Sequence, residues 1–273
     1  MKDSAYVSAM EETMIETGAL TDVGNVRNLN EDSVAVVHSD IPGKSCKGTI
    51  LVLADGLGGY KAGEVASTMV TSMLPELYLA GSGKDYVSDF VNAVRFCNTI
   101  VHDASNKSEE QQGMGTTVVA AVLVDHYVVF VNVGDSRGYL LRDGAVVHRT
   151  RDHSLKDASM DVPEANKRNR FAHVLTRAIG PKPTVLIDVT AHRLSKGDVV
   201  LLCSDGLTDC IGNEEMKNIA LNHSPADAAR KLVAMAKEQG GEDNISVIIA
   251  RVQEVAESGG REDVFGVEKY LVP

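Results

Sequence analysis

Uninterrupted apolar runs alternate along this chain with polar stretches rich in Asp and Gly. Thr49 to Ala54, Tyr127 to Val133 and Val199 to Cys203 each read as a strand buried on both faces, and each is followed closely by an aspartate. Ile245 to Val252 is a further run of this kind, but Asp243 and Asn244 precede it. That reversal suits an antiparallel neighbour, because the start of one strand then lies beside the end of the next. Thr117 to Val124 joins Tyr127 to Val133 through Asp125-His126, and Tyr139 to Leu141 meets Ala145 to Val147 through Asp143-Gly144, a hairpin signature.

A 3.6-residue period takes over in two places. Ala62, Val65, Ala66, Met69, Val70, Met73, Leu74 and Leu77 share one helical face, as do Tyr86, Phe90, Ala93, Cys97, Ile100 and Ala104, and the two predict a long helical pair. Ser224-Pro225 with Asp227 is a helix start, followed by the stripe Ala228, Ala229, Leu232, Val233 and Ala236 until Gly240-Gly241 stops it. From about Arg151 to Arg170 the chain is polar and reads as a surface excursion, and from Glu254 onward it reads as a loosely attached tail. The order of elements predicts an α+β or layered α/β fold, satisfied by a sandwich of sheets with helices outside.

Composition narrows the possibilities. At 273 residues and 44% hydrophobic content, one large domain spanning 1–273 can bury its own core. No apolar run is long enough to cross a bilayer and the start lacks a secretion signal, so a cytoplasmic protein is expected. The net charge of -11 argues against nucleic acid or an anionic membrane as partner, since the densest basic stretch is the short Lys167–Arg170. Cys46, Cys97, Cys203 and Cys210 form no C-x-x-C pair and read as structural thiols.

One Asp after a strand is ordinarily a turn residue. Here Asp55-Gly56, Asp135-Ser136, Asp205-Gly206 and Asp243-Asn244 all adjoin strongly apolar strands, and Glu31-Asp32 precede the strand-like Ser33 to Val37. Ends of neighbouring strands converge, and two unit charges about 4 Å apart repel by about 4 kcal/mol at an effective dielectric near 20. A positive partner is required. Oxygen donors without His or Cys favour hard cations, Mg2+ or Mn2+. Two such ions about 3.5–4 Å apart can share and acidify a water that attacks a phosphate ester. Arg27, just before Glu31, carries the fork that grips two phosphate oxygens.

Arg27 to Asp32 (R-N-L-N-E-D), Asp55 to Gly59 (D-G-L-G-G), Gly113 to Thr117 (G-M-G-T-T), Gly134 to Gly138 (G-D-S-R-G), Asp205 to Asp209 (D-G-L-T-D) and Glu242 to Ser246 (E-D-N-I-S) together resemble the metal-dependent protein phosphatases, or type 2C serine/threonine phosphatases, of the bacterial single-domain type. The resemblance covers most of the chain, in the family's order. It implies a four-layer α-β-β-α sandwich of two mostly antiparallel sheets flanked by helix pairs. It also implies hydrolysis of phosphoserine and phosphothreonine in proteins by a water or hydroxide bridging two divalent metals. Asp55 would bridge the metals, Glu31 and the Gly56 carbonyl would complete one, and Asp205 and Asp243 would hold the other. Asp135, with Asp205 and Asp209, would form a third, weaker site. Arg27 would bind substrate phosphate and Asp32 would support the site from its edge. Partners implied are phosphorylated proteins and a serine/threonine kinase sharing them. Leu175 to Gly180 (L-T-R-A-I-G) matches a family motif preceded by a flap, here Asp152 to Arg170. Many eukaryotic members carry His where this chain has Leu57, which cannot donate a proton; water would then protonate the leaving group.

Rival readings have less support. Asp55 to Lys61 resembles a nucleotide loop, but Lys61 falls where G-x-G-x-x-G needs Gly, and Ala62 where a P-loop needs Ser or Thr. No cysteine has Arg six positions later, and no D-x-D, G-x-S-x-G or H-E-x-x-H occurs. A phosphoprotein-binding regulatory module that has lost the chemistry is the alternative from another class, and retention of Glu31, Asp55, Asp205 and Asp243 opposes it. A sigma-factor-pathway regulator acting on one phosphoserine is a second enzymatic alternative.

Overall fold

The computed structural model describes residues 13–39, 47–57, 62–83, 85–107, 109–155 and 174–255, and the backbone of 270–272. Cys46, Gly58–Lys61, most of the expected flap and most of the expected tail lie outside the described residues.

The elements in order are β1 (Met14–Asp22), β2 (Asp32–His38), β3 (Thr49–Asp55), α1 (Gly63–Ala80), α2 (Tyr86–Ser105), β4 (Val118–Val124), β5 (Tyr127–Val133), β6 (Arg137–Arg142), β7 (Ala145–Arg149), β8 (Ile187–Arg193) and β9 (Val199–Cys203). Then come α3 (Asp205–Thr208), α4 (Asn213–Asn222), α5 (Pro225–Glu238), β10 (Ile245–Glu254) and β11 (Tyr270–Val272). They form a five-stranded sheet, β1-β10-β9-β6-β7, and a six-stranded sheet, β11-β8-β5-β4-β3-β2. Every pairing is antiparallel.

Three apolar layers hold the sheets and helices together, and side-chain alternation along each central strand distributes residues between them. Ile50, Val52 and Ala54 of β3 face α1 and α2. Leu51 and Leu53, one residue out of step, pack with Leu140, Val200, Leu202 and Ile248 of the other sheet. Leu141, Val199, Leu201 and Cys203 turn outward to meet Leu232, Val233 and Ala236 of α5. The central strands are thus covered on both faces, which is why they read as continuous apolar runs although the sheets are antiparallel.

The helical pair forms as expected, with Tyr78 of α1 set edge-on to Phe90 of α2 at 5.4 Å. Ser224 caps α5 by accepting from the Asp227 amide (3.2 Å), with Pro225 in the first turn. The β6–β7 hairpin turns on Asp143 (φ 49°) and Gly144 (φ 79°), a left-handed pair that suits a two-residue turn.

Several elements left no clear trace in the apolar pattern. β1 is a half-exposed edge strand interrupted by Gly18 and carrying Glu16, Thr17 and Thr21. β8 buries only Ile187, Val189 and Ala191, with Asp188, Thr190 and His192 between them. α4 buries only Met216 and Ala220. β11, within the stretch read as a loose tail, pairs with β8.

Replacing Leu51, fully buried between the sheets, with Ala is expected to lower stability by about 2–5 kcal/mol. Val147→Ala on exposed β7 should change it by less than about 0.5 kcal/mol. Urea unfolding midpoints test the pair; equal midpoints would mean that the layer between the sheets does not carry the fold.

Candidate active site

Antiparallel pairing brings strand starts and strand ends to one end of the sandwich, and the carboxylates ride on them. Asp55 closes β3 and stands directly opposite Asp32, the first residue of β2. Asp135 lies in the link from β5 to β6, Asp205 opens α3 just after β9, and Asp243 precedes β10, which pairs with β9. Residues as much as 216 positions apart in the chain, Arg27 and Asp243, thereby share one cavity of about 700 Å³, lined also by Glu31, Asp55, Asp135 and Asp205 and by Gly56 and Leu57. Asp32 sits behind it, 7% exposed. Asp209 is not among the lining residues; its amide donates to the Asp205 carbonyl (2.8 Å) at the end of α3.

Asn244 holds the loop between β1 and β2 in place. Its Oδ1 accepts from the Glu31 amide (2.8 Å), while its Nδ2 donates to the Val23 and Leu29 carbonyls (both 3.0 Å). This fixes Arg27 and Glu31 beside Asp243. Ser67 of α1 adds a bond from its hydroxyl to the Glu31 carbonyl (2.6 Å). Thr117 braces Asp55 twice: its amide donates to the Asp55 carbonyl (2.8 Å) and its hydroxyl accepts from the Asp55 amide (3.0 Å). Gly206 allows α3 to approach, since a Cβ there would lie 2.2 Å from the Asn244 carbonyl oxygen. Thr117 and Asn244 both fall inside the sequence segments singled out above, yet their bracing roles become visible only when these partners meet.

The electrostatics are those of an anion cluster. Burial raises Asp55 well above the ordinary carboxylate range, and Asp32, Asp205, Asp135 and Asp243 push it further. Burial likewise pushes Asp32 up to about 7, with Asp205 and Asp243 adding to it. The Ser246 and Ser204 hydroxyls lower it in part, although among the described residues neither Asp32 oxygen has a partner in full hydrogen-bonding geometry. Asp135 rises to about 7 through burial and then Asp205. Glu31 is raised by burial and by Glu64, with Arg27 opposing. Like charges held in a low-dielectric pocket in this way destabilise the fold unless protons or cations join them.

A hard divalent cation fits this donor set: the lining contains carboxylates and no His or Cys among the described residues. Among those residues no three His, Cys, Asp or Glu side chains are grouped closely enough to hold a metal ion as they stand, so the fit rests on the donor chemistry of the lining. Arg27 Nη2 pairs with Asp243 Oδ2 at 2.8 Å, with the side chains 44% and 40% exposed. Pairs this exposed are worth about 0–1 kcal/mol, so the guanidinium can exchange its partner readily.

The rest of the lining is Thr117 and residues from 174–186. Arg177 Nη1 donates to Asp188 Oδ1 (2.6 Å). His153 Nδ1 accepts from the Gly134 amide (3.1 Å), which leaves its Nε2 proton to face Asp188 Oδ2 at 3.1 Å. Burial alone would raise Asp188, but the bonds from His153 and Arg177 outweigh it and bring Asp188 down to about 2. Of the expected flap only 152–155 is described, and Asp152 there is held by Arg137 through a bidentate pair (2.9 and 2.7 Å).

Comparison with known proteins gives a consistent result. The family model described as Protein phosphatase 2C matches residues 20–245. The chain is 33% identical over 238 residues to the serine/threonine phosphatase stp of Listeria innocua, covering 84% of this chain and 92% of that protein. The crystal structure of the serine/threonine phosphatase Stp1 from Staphylococcus aureus superposes with a TM-score of 0.80 at 29% identity, covering 89% of this chain and 97% of the other. The catalytic domain of the serine/threonine protein phosphatase PstP, solved in complex with two manganese ions, gives 0.73 at 33% identity, covering 88% and 99%.

Two outcomes are expected from this geometry. Asn244→Ala leaves the Glu31 amide and two loop carbonyls without their partner and should cost about 1–3 kcal/mol of stability; an unchanged thermal midpoint would show that the loop is held by something else. Asp188 has a folded pKa below its unfolded value, so its contribution is present above about pH 4 and is lost as the pH falls toward about 2. Urea titrations should therefore show Asp188→Asn less stable near neutrality, with a shallower acid limb; parallel curves for the two proteins would remove that role.

Proposed function

Because the chain belongs to the protein phosphatase 2C family and is a serine/threonine protein phosphatase, we propose that it hydrolyses phosphoserine and phosphothreonine in other proteins at the acid-lined cavity, using two divalent cations, Mn2+ or Mg2+. The observation that carries this is the convergence of Glu31, Asp55, Asp205 and Asp243 on one cavity that Arg27 also lines. Asp55 would lie between the ions, Glu31 and the Gly56 carbonyl would hold one, and Asp205 and Asp243 the other, with Asp135, Asp205 and Asp209 as candidates for a weaker third. The ions, when bound, supply neutralisation of the phosphate charge and an acidified water as nucleophile.

The chain's own side chains do the remaining work. Arg27 leaves Asp243 to grip phosphate oxygens, a bidentate task that fits a guanidinium better than an ammonium. Thr117 holds the Asp55 backbone, Asn244 holds the Glu31 backbone, and the Gly56 amide donates to the Glu31 carbonyl (3.1 Å), so the two segments are organised before substrate arrives. Asp32 adds buried charge behind Asp55. Leu57 lines the cavity and offers no proton, which leaves protonation of the departing alkoxide to water. Phosphoproteins, and a serine/threonine kinase that modifies them, are the partners this reading implies. Among the described residues no helix is long and apolar enough to cross a membrane.

Phosphate release from phosphoserine, phosphothreonine and phosphotyrosine peptides tests the reading, with Mn2+, with Mg2+ and with chelator. Release from the first two should require metal and should be abolished in Asp205→Asn. Binding alone has its own readout: metal at about a hundred times its dissociation constant should stabilise the native chain by about 2.7 kcal/mol in thermal unfolding and stabilise Asp205→Asn less. A folded chain that binds metal without releasing phosphate would instead be a regulatory module.

A further inference from the structure

The cavity has a second chemical character that the carboxylates do not use. Val174, Pro181, Lys182, Val185 and Leu186 are part of its lining. Val174 and Leu186 remain 42% and 43% exposed, large apolar side chains left open to solvent beside a charged centre. Of the cavity's cations, Arg27 is paired with Asp243 and Arg177 with Asp188, whereas Lys182 is exposed and has no ion pair among the described residues.

This wall is fixed relative to the reacting centre. Asn98 of α2, 2% exposed, accepts from the Gly180 amide (2.9 Å) and donates to the Lys182 and Pro183 carbonyls (3.1 and 3.2 Å). His102 Nδ1 donates to the Gly180 carbonyl (2.9 Å), one turn along the same helix. Ile179 and Thr116 exchange both backbone bonds (3.1 and 2.9 Å), and the Thr116 hydroxyl donates to the Asp55 carbonyl (2.8 Å). A continuous set of hydrogen bonds thus runs from the wall to the strand end that carries Asp55. A loop held by this many hydrogen bonds, with exposed apolar side chains and a cation that has no ion pair among the described residues, opening on the site of chemistry, is built to bind rather than merely to connect.

We propose that this wall is a substrate subsite that selects the residues flanking the phosphorylated side chain: an apolar residue lies against Val174, Val185 and Leu186, and an acidic residue reaches Lys182. The inference rests on the phosphatase reading of the cavity and adds the class of sequence it prefers. Asn98 is a positioning residue for the subsite and touches no reacting atom.

Phosphothreonine peptides that differ only in one flanking residue, Glu or Lys, test it on the full chain with Mn2+, alongside p-nitrophenyl phosphate, which has no flank. The readout is the ratio of kcat/KM for the Glu peptide to that for the Lys peptide within each protein, so a general loss of activity cancels. The native chain should favour the Glu peptide. Lys182→Glu replaces an attraction with a repulsion and should lower the ratio about tenfold. In a second pair differing as Leu or Ser, Leu186→Ser should lower the Leu preference. Equal Glu-to-Lys ratios in native protein and Lys182→Glu, with p-nitrophenyl phosphate still hydrolysed, would overturn the subsite alone. No hydrolysis of p-nitrophenyl phosphate by the native chain would overturn the phosphatase reading and the subsite with it.

Discussion

Mutual repulsion among buried carboxylates is the force the rest of this fold holds against. Asp32 and Asp55 face each other across an antiparallel pair, where like charges are unfavourable, and Asp135, Asp205 and Asp243 raise the charge density further. Two stacked sheets suit the task because their central strands are packed on both faces and have no room to shift. β3 is locked on one side by α1 and α2 and on the other by Leu140, Val200 and Leu202. Its end can therefore hold an aspartate in an unfavourable place, and a cation gains what the aspartates lose.

Hydrogen bonds that stabilise loops elsewhere are used here as spacers. Asn244 ties the Arg27–Glu31 loop to the start of β10, and Thr117 ties the end of β3 to the start of β4. Each joins the backbone of one carboxylate-bearing segment to a neighbour, so the side chains keep their oxygens for a ligand. The same economy appears in the other wall of the cavity, where Asn98 makes three bonds to backbone and leaves Lys182 and Leu186 facing outward. Stability and recognition are thus assigned to different atoms of adjacent residues.

The carboxylates were legible because each follows or precedes an apolar run that only a doubly covered strand would require. Glu31, Asp55, Asp135, Asp205 and Asp243 all reach the cavity, and the resemblance of the six segments to one phosphatase family agrees with the family match over residues 20–245. Asp209 is placed by the same segment pattern but stands at the end of α3, outside the lining. β1, β8 and α4 escaped notice because each buries only part of one face, and a half-buried polar strand such as Ile187–Arg193 has the composition of a loop.

The sequence by itself determined the secondary elements of the core, the presence of an acidic oxygen-donor set and the antiparallel order that would gather it, since local periodicity and strand-end chemistry are short-range properties. Only the tertiary structure decided which groups brace which carboxylates, that Arg27 rests on Asp243, and that residues 174–186 line the cavity with apolar side chains and a lysine that has no ion pair among the described residues. Those contacts join segments far apart in the chain, and no local pattern encodes the distance between two residues whose meeting depends on how both sheets pack.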